Sequence, residues 1–272
     1  MCGIGGMVGN NWNEHQLTCM LEIQSHRGPD DNGKFIDHTK KAGLIHNRLK
    51  IIDLSNSGRQ PMSNTDGSLW IVFNGEIYNY LEIRKDLEKK NISFETTSDT
   101  EVLIRLYERD GPYMAEKLRG MFAIAIWDHI AEQLFLARDH FGIKPLYIAD
   151  DGRTLRVASQ VKALKSGMTN VASSPDAAGF VGFFLFGSIP EPYTLYTNIR
   201  TLPAGSTLTI AKGGKRQTTC FFDPANVLKN SEQIGPPVDT LRNLLLDSVK
   251  HHLVADVPIG LFLSAGLDSA TL

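Results

Sequence analysis

The chain has 272 residues, enough for one large domain or for one domain and part of a second. It is 42% hydrophobic and 21% charged, and its formal net charge of −2 offers no basic surface for nucleic acid or an anionic membrane. The most apolar run, residues 179–187, is far too short to cross a bilayer, and the N-terminus lacks a signal-peptide pattern. We therefore expect a cytoplasmic protein that binds neither nucleic acid nor membrane.

The cysteines do not indicate a disulfide framework, because there are only three and they are widely separated (Cys2, Cys19 and Cys220). The chain also lacks the CxxC and HExxH spacings that are typical of metal sites. We therefore expect no bound metal in the chain as given.

The first 160 residues alternate between strand and helix patterns. Apolar and alternating runs predict strands over 3–8, 42–54 and 69–77, and hairpins over 121–139 and 145–160. Amphipathic runs predict helices over 13–26, 78–91 and 98–111, and a cluster of turn-forming residues occupies 27–33. Antiparallel strands flanked by helices indicate a layered α+β domain.

A change of composition near residue 211 indicates a domain linker, which is polar and rich in glycine and proline. A helix pattern over 238–254 and an apolar run over 257–263, predicted to be a buried strand, follow it. One helix and one strand cannot build a doubly wound domain. We therefore assign residues 1–212 to the first domain and 213–272 to a linker and the opening of a second, α/β domain whose remainder is absent.

The predicted strand runs directly into SAGLDS, residues 264–269. Small residues let backbone N–H groups approach an anion, the serines add hydroxyl donors, and a following helix would favour negative charge. The sequence lacks the lysine of a Walker-type loop. It resembles the SGGxDS loop of enzymes that split ATP into AMP and pyrophosphate, with Ala265 in place of a glycine. A plain strand-to-helix turn is the alternative.

The N-terminus offers a nucleophile if Met1 is removed. Cys2 would then carry a thiol with a pKa of about 8.5 and an α-amine with a pKa of about 7.7–8, so that the amine could take the thiol proton. The alternative is an ordinary frayed terminus.

Three further segments carry polar groups suited to amide hydrolysis. Asn74 and Gly75 follow a strand and could donate two hydrogen bonds to an oxyanion, although Asn-Gly is also a common turn. Arg48 within a strand pattern is either an edge residue or a carboxylate clamp. Asp99 at a helix start is either a cap or a ligand-binding group.

Taken in order, the motifs resemble the glutaminase domain of the glutamine-hydrolysing asparagine synthetase family. They are MCGIGG (1–6), HRGPD (26–30), HNRLKIID (46–53), QPM (60–62), FNGEIYN (73–79), SDTEVL (98–103), RGMFAIAIWD (119–128) and RDHFGIKPLY (138–147). The resemblance covers nearly all of residues 1–210 and continues through SAGLDS. It implies a four-layer αββα sandwich of the N-terminal-nucleophile hydrolase type, followed by a truncated α/β domain with the pyrophosphate loop.

The resemblance also implies roles for individual residues. Cys2 matches the nucleophile, and Asn74 with Gly75 matches the oxyanion hole. Arg48 matches the residue that holds the α-carboxylate of glutamine, with Ile52 adding a backbone contact, and Asp99 and Glu76 receive the α-amino group. The ATP-binding edge of the synthetase domain is matched by Leu263, Ser264, Gly266, Asp268 and Ser269.

These roles imply an enzyme that hydrolyses glutamine and passes ammonia to an ATP-dependent amidation of aspartate. The glutaminase half would need no cofactor, whereas the full-length synthetase would need ATP and Mg²⁺; a homodimer is possible. We expect the 272-residue chain to hydrolyse glutamine without making asparagine or binding ATP tightly. The alternatives are a relative that amidates another carboxylate, in polysaccharide or metabolite biosynthesis, and a non-catalytic scaffold.

Overall fold

Two antiparallel sheets, each of six strands, lie face to face in the computed structural model, which describes residues 1–167, 174–230 and 238–271. The first sheet contains β1 (Gly3–Gly9), β2 (Asp31–Asp37), β3 (Ala42–Arg48), β8 (Tyr147–Asp150), β9 (Thr154–Ala158) and β10 (Ile199–Thr201). Their order is β10-β8-β9-β1-β3-β2, so the N-terminal strand is central, with β9 and β3 as its neighbours.

The second sheet contains β4 (Met62–Ser63), β5 (Leu69–Ile77), β6 (Gly120–Asp128), β7 (Gln133–Arg138), β11 (Ser206–Ile210) and β12 (Arg216–Cys220). Their order is β12-β11-β7-β6-β5-β4. In the longest ladder, β5 pairs with β6 from Leu69 opposite Asp128 to Ile77 opposite Gly120. This register fixes the end of β5, where the candidate site lies.

Helices cover the outer face of each sheet. Helices α1 (Glu14–Ile23) and α4 (Val161–Ser166) pack on the first sheet, and α2 (Tyr80–Glu88) and α3 (Asp99–Asp110) pack on the second. The described part of the chain also contains α5 (Ala177–Phe186), α6 (Pro224–Asn230), α7 (Val238–His252) and α8 (Leu267–Thr271). The order helix, sheet, sheet, helix confirms the predicted αββα sandwich.

Each interface between layers has its own apolar core. Ile4, Leu44, Val72, Trp127 and Leu136 are among the side chains buried between the two sheets. A second cluster fills the space between the second sheet and α2 and α3, and a third lies beneath α1 and α4. The burial of apolar surface in three stacked layers stabilises the sandwich.

Local signals explain where several elements begin. Asn13 caps α1 in a capping box, in which its side chain accepts from the Gln16 N–H while the Gln16 side chain accepts from the Asn13 N–H. Ser98 caps α3 by accepting from the Thr100 N–H, which leaves Asp99 in the first turn. These caps confirm the predicted positions of both helices to within a turn.

Three predicted boundaries are wrong. Strand β3 ends at Arg48, so residues 49–54 form a loop instead of extending the strand. Strand β2 begins at Asp31, within the cluster of turn-forming residues, because pairing with β3 offsets its weak strand pattern. Residues 216–220, placed in the linker, form β12 and pair with β11. Residues 231–237 of the predicted linker lie outside the described residues.

The predicted buried strand over 257–263 is also wrong, since the structure shows neither a strand nor burial there. Leu261 and Leu263 are exposed, and Phe262 is 99% exposed. A strand requires a hydrogen-bonded neighbour, and none of the described residues pairs with this segment.

Helix α5 carries the most apolar sequence of the chain and leaves much of it uncovered. Asp176 caps its N-terminus and pairs with Arg200 on β10, which anchors the helix to the first sheet. Six of its apolar side chains are exposed: Phe180, Val181, Phe183, Phe184, Leu185 and Phe186. Among the described residues, neither α5 nor any other helix has the length and apolar character to span a membrane.

Candidate active site

A cavity of about 220 Å³ opens where β1 begins, β3 and β5 end, and α3 starts. All seven residues predicted for the glutaminase site line it, namely Cys2, Arg48, Ile52, Asn74, Gly75, Glu76 and Asp99. The cavity is smaller than the roughly 300–1,000 Å³ of pockets that hold drug-sized ligands. It therefore suits a single small metabolite.

Cys2 immediately precedes β1, and its thiol contacts the loop after β3. Its Sγ lies 3.6 Å from the carbonyl oxygen of Leu49, to which it donates, and 3.4 Å from the Leu49 nitrogen, from which it accepts. Burial raises the pKa of the Cys2 thiol and lowers the pKa of the Met1 α-amine. Burial therefore favours the uncharged forms, which are a thiol and a neutral amine.

Residues 27–30, at the start of the predicted turn, help to fix the position of Cys2. Arg27 Nε donates to the Cys2 carbonyl at 2.9 Å, and Asp30 accepts from the Lys50 N–H at 2.8 Å. A Cβ on Gly28 would lie 2.3 Å from the backbone of Asn47, so only glycine permits this close approach to β3. The turn therefore joins the first residues of β1 to the loop that follows β3.

Asn74 and Gly75 lie on β5, opposite Ala123 and Phe122 of β6. The Asn74 side chain is 1% exposed, and its Nδ2 has no acceptor among the described residues. A buried amide donor without a partner costs free energy unless a ligand or a water molecule accepts its hydrogen bond. A Cβ on Gly75 would lie 2.0 Å from the Met121 carbonyl oxygen, which explains the glycine. The end of β5 therefore places an amide donor with no partner among the described residues on a side chain that lines the cavity with Cys2.

Arg48 is buried at the end of β3 and holds the following loop. Its Nη1 donates to the Ser55 carbonyl at 2.8 Å, and its Nη2 donates to the carbonyls of Ile52 and Asp53. The guanidinium thus shapes the wall of the cavity in addition to supplying a positive charge. Ile52 contributes its carbonyl to this arrangement, and its side chain packs into the apolar core.

Two carboxyl groups, those of Asp99 and Glu76, also line the cavity. Burial raises the pKa of Asp99 to about 7, although the N–H of Ile77 donates to its carboxylate. Burial also raises the pKa of Glu76. A positively charged ligand group would stabilise both carboxylates. Together with Arg48, they give the cavity lining groups of both charges, which an α-amino acid requires.

Lys144 and Gln60 are among the polar residues that line the cavity and that the sequence did not identify as site residues. Lys144 is 5% exposed, and the loop that carries it is held by Arg138, which donates to its carbonyl, and by Asp139, which accepts from its N–H. Gln60 connects Thr100 to the Phe73 N–H. Both residues occur in the quoted motifs, so their position in a motif was the available signal.

The residues predicted to bind ATP do not line this cavity. Ser264 and Ser269 bond to each other through their hydroxyl groups at 2.7 Å, and the Gly266 N–H donates to the Ser264 hydroxyl. Leu263 and Asp268 are exposed beside this turn, and the helix that follows has only five residues. The N–H groups of Ser264 and Gly266 and both serine hydroxyls thus bond within the loop, and its nucleotide-binding role stays a prediction.

Two family models match the chain. The first, described as a glutamine amidotransferase domain, matches residues 1–221, and the second, described as asparagine synthase, matches residues 240–272. The chain is 39% identical to asparagine synthetase [glutamine-hydrolyzing] 1 of Bacillus subtilis (strain 168), over 99% of this chain and 43% of that protein. It is 36% identical to a putative asparagine synthetase [glutamine-hydrolyzing] 2 of Methanocaldococcus jannaschii, over 100% of this chain and 56% of that protein. The chain thus spans about half the length of these relatives.

A solved structure shares the fold. The glutamine phosphoribosylpyrophosphate amidotransferase of B. subtilis aligns with a TM-score of 0.59 at 22% identity, over 81% of this chain and 49% of that chain. These matches confirm the resemblance that the sequence motifs indicated.

Proposed function

Since the chain belongs to the glutamine amidotransferase family, we propose that it hydrolyses glutamine to glutamate and ammonia for the ATP-dependent amidation of aspartate to asparagine. The observation that carries this proposal is the buried Asn74 amide: Asn74 lines the same cavity as Cys2, and its Nδ2 has no partner among the described residues. Removal of Met1 places an α-amine on Cys2, next to the thiol. Nucleophile, base and oxyanion donor then come together without a histidine.

Each chemical step can be assigned to these groups. The α-amine takes the thiol proton, and Sγ attacks the side-chain carboxamide of glutamine while Asn74 and the Gly75 N–H stabilise the oxyanion. The C–N bond breaks, the amine returns the proton to the departing ammonia, and a thioester remains. Water, deprotonated by the same amine, hydrolyses the thioester to glutamate and frees the thiol.

The cavity charges support glutamine as the substrate. Arg48 faces the α-carboxylate, and Asp99 and Glu76 face the α-ammonium group, so that both charges of the zwitterion are compensated. The match of residues 240–272 to the asparagine synthase model and the names of the relatives support aspartate as the final acceptor. ATP and Mg²⁺ belong to that second reaction, in which Ser264, Gly266 and Ser269 are proposed to contact the nucleotide.

The test is an assay of glutamate and ammonia release from glutamine by the processed chain. Equal amounts of both products, with no release from asparagine, are expected. Absence of glutamate formation would contradict the proposal and favour the non-catalytic scaffold. Adding aspartate or another carboxylate with Mg-ATP to a longer form of the protein identifies the acceptor by the amide that forms.

Replacing Arg48 with alanine is expected to raise KM for glutamine by about 10- to 100-fold, the scale of a lost hydrogen bond to a charged group. The lost contact is made in ground and transition states alike, so kcat should change far less. Steady-state ammonia release gives both constants. Arg59→Ala is the matched control, because Arg59 pairs with Asp31 outside the cavity. An unchanged KM in Arg48→Ala would show that Arg48 holds only its own loop.

Glutamine binding is expected to weaken as the pH falls below about 7, by up to about tenfold per pH unit. The ligand-free Asp99 has a pKa of about 7, and only its ionised form attracts the α-ammonium group. Calorimetry on the Cys2→Ala variant measures Kd without turnover. Asp99→Asn should bind weakly and with a flat pH profile. The same slope in Asp99→Asn would assign the titration to another group, such as Glu76.

A further inference from the structure

The loop that follows β3, residues 49–54, forms one wall of the cavity. The segment after α7 is hydrogen-bonded to this loop. The Asp256 N–H donates to the Ile51 carbonyl at 2.9 Å, and the Asp256 carboxylate accepts from the Asp53 N–H at 2.7 Å. The two bonds connect one residue to both ends of a three-residue stretch. Val254 packs against the same apolar core as Ile52, which brings the segment into place.

The held stretch is conformationally strained. Asp53 has a φ of +53°, in the left-handed region that residues other than glycine adopt at a cost. Its N–H is bonded to Asp256, and its carbonyl accepts from Arg48 Nη2. Asp53 therefore joins Asp256 on one side to Arg48 of the cavity on the other, and these hydrogen bonds hold its unusual conformation.

Further contacts keep this segment against the first domain. Asp247 on α7 pairs with Arg119, and the rings of His252 and Tyr78 lie 4.6 Å apart. Asp256 lies within residues 240–272, which match the asparagine synthase model, eight positions before Ser264. The region that begins the second domain thus reaches the wall of the glutamine cavity.

We propose that Asp256 is a positioning residue for glutamine binding: by holding Ile51 and Asp53, it keeps Arg48 oriented toward the α-carboxylate. The inference rests on the proposed glutaminase function. It makes the affinity for glutamine depend on a residue outside the matched glutamine amidotransferase domain. Because Asp256 is not among the residues that line the cavity, it acts on binding and leaves the chemical steps unaffected.

The test compares Asp256→Ala with wild type in the processed 272-residue chain. Because Asp256 is exposed, we expect KM for glutamine to rise by about fivefold, below the full effect of a buried charged hydrogen bond, with kcat within about twofold. Asp256→Asn keeps an acceptor oxygen and the backbone N–H, so its KM should remain within about twofold of wild type. Asp239→Ala, on the exposed surface of α7, is the matched control and should match wild type.

A double-mutant cycle separates positioning from general stability. If Asp256 acts through Arg48, the KM of Arg48→Ala/Asp256→Ala should lie well below the product of the two single effects. An unchanged KM in Asp256→Ala, a fall in kcat alone, equal damage by Asn and Ala, or strict additivity would each overturn the inference. A wild-type chain that releases no ammonia from glutamine would overturn the proposed function itself, and the inference with it.

Discussion

Replacing Cys2 with alanine is expected to abolish ammonia release from glutamine, by on the order of 10³-fold or more, while the fold stays intact. Cys2 is the only cysteine that lines the cavity, and its thiol bonds only to the backbone of Leu49 among the described residues. Sulfur makes weak hydrogen bonds, so their loss should barely change the melting temperature. Glutamate formation and thermal unfolding measure the two effects.

The other two cysteines provide matched controls. Cys19 lies on α1 and Cys220 ends β12, and both are free thiols outside the cavity. Cys19→Ala and Cys220→Ala should keep wild-type activity. Turnover that survives in Cys2→Ala would remove the nucleophile assignment and require another group in the cavity.

Protein that retains Met1 is expected to be inactive to a similar extent. The Cys2 nitrogen is then part of a peptide bond and cannot accept a proton, and the only free α-amine lies one residue further out. Burial also raises the pKa of the Cys2 thiol, so little thiolate forms at neutral pH without a base beside it. Removal of Met1 supplies that base on the same residue.

Intact-mass spectrometry beside the ammonia assay tests this prediction. Initial rate should be proportional to the fraction of molecules that lack the methionine mass, and treatment with a methionine aminopeptidase should raise both together. Full activity in wholly unprocessed protein would show that the α-amine of Cys2 is not the base.

Much of the fold could be predicted because its patterns are local. The helices over 13–26 and 98–111 and the two hairpins depend on residues close together in sequence, and all of them occur where predicted to within a turn. The sandwich also followed from the family resemblance. Strand β12 could not be predicted, because its polar residues become a strand only through pairing with β11.

The prediction of a strand over 257–263 was wrong for the opposite reason. Its composition is that of a buried strand, but composition does not supply the neighbouring strand that would satisfy its backbone. Leu261, Phe262 and Leu263 are exposed as a result. The ATP-binding roles of the loop that follows remain predictions.

The residues at the site also divide into those that sequence motifs predicted and those that they did not. Cys2, Arg48, Asn74 and Asp99 were predicted from motifs, and the structure brings them to one cavity. Lys144 lines the cavity together with Cys2, and Asp256 bonds to Asp53; both relations join segments far apart in the chain, and single-sequence patterns do not reveal them.

The exposed apolar side chains of helix α5 are expected to promote self-association of the purified chain in solution. Its exposed apolar side chains all lie within residues 180–186, with Phe184 82% exposed, and exposed apolar surface favours association in water. Association through α5 is then expected to increase with protein concentration and to be least in dilute samples. Kinetic constants should therefore be compared at equal, low protein concentration or in a mild non-ionic detergent. Light scattering measures whether the solution is monodisperse under these conditions.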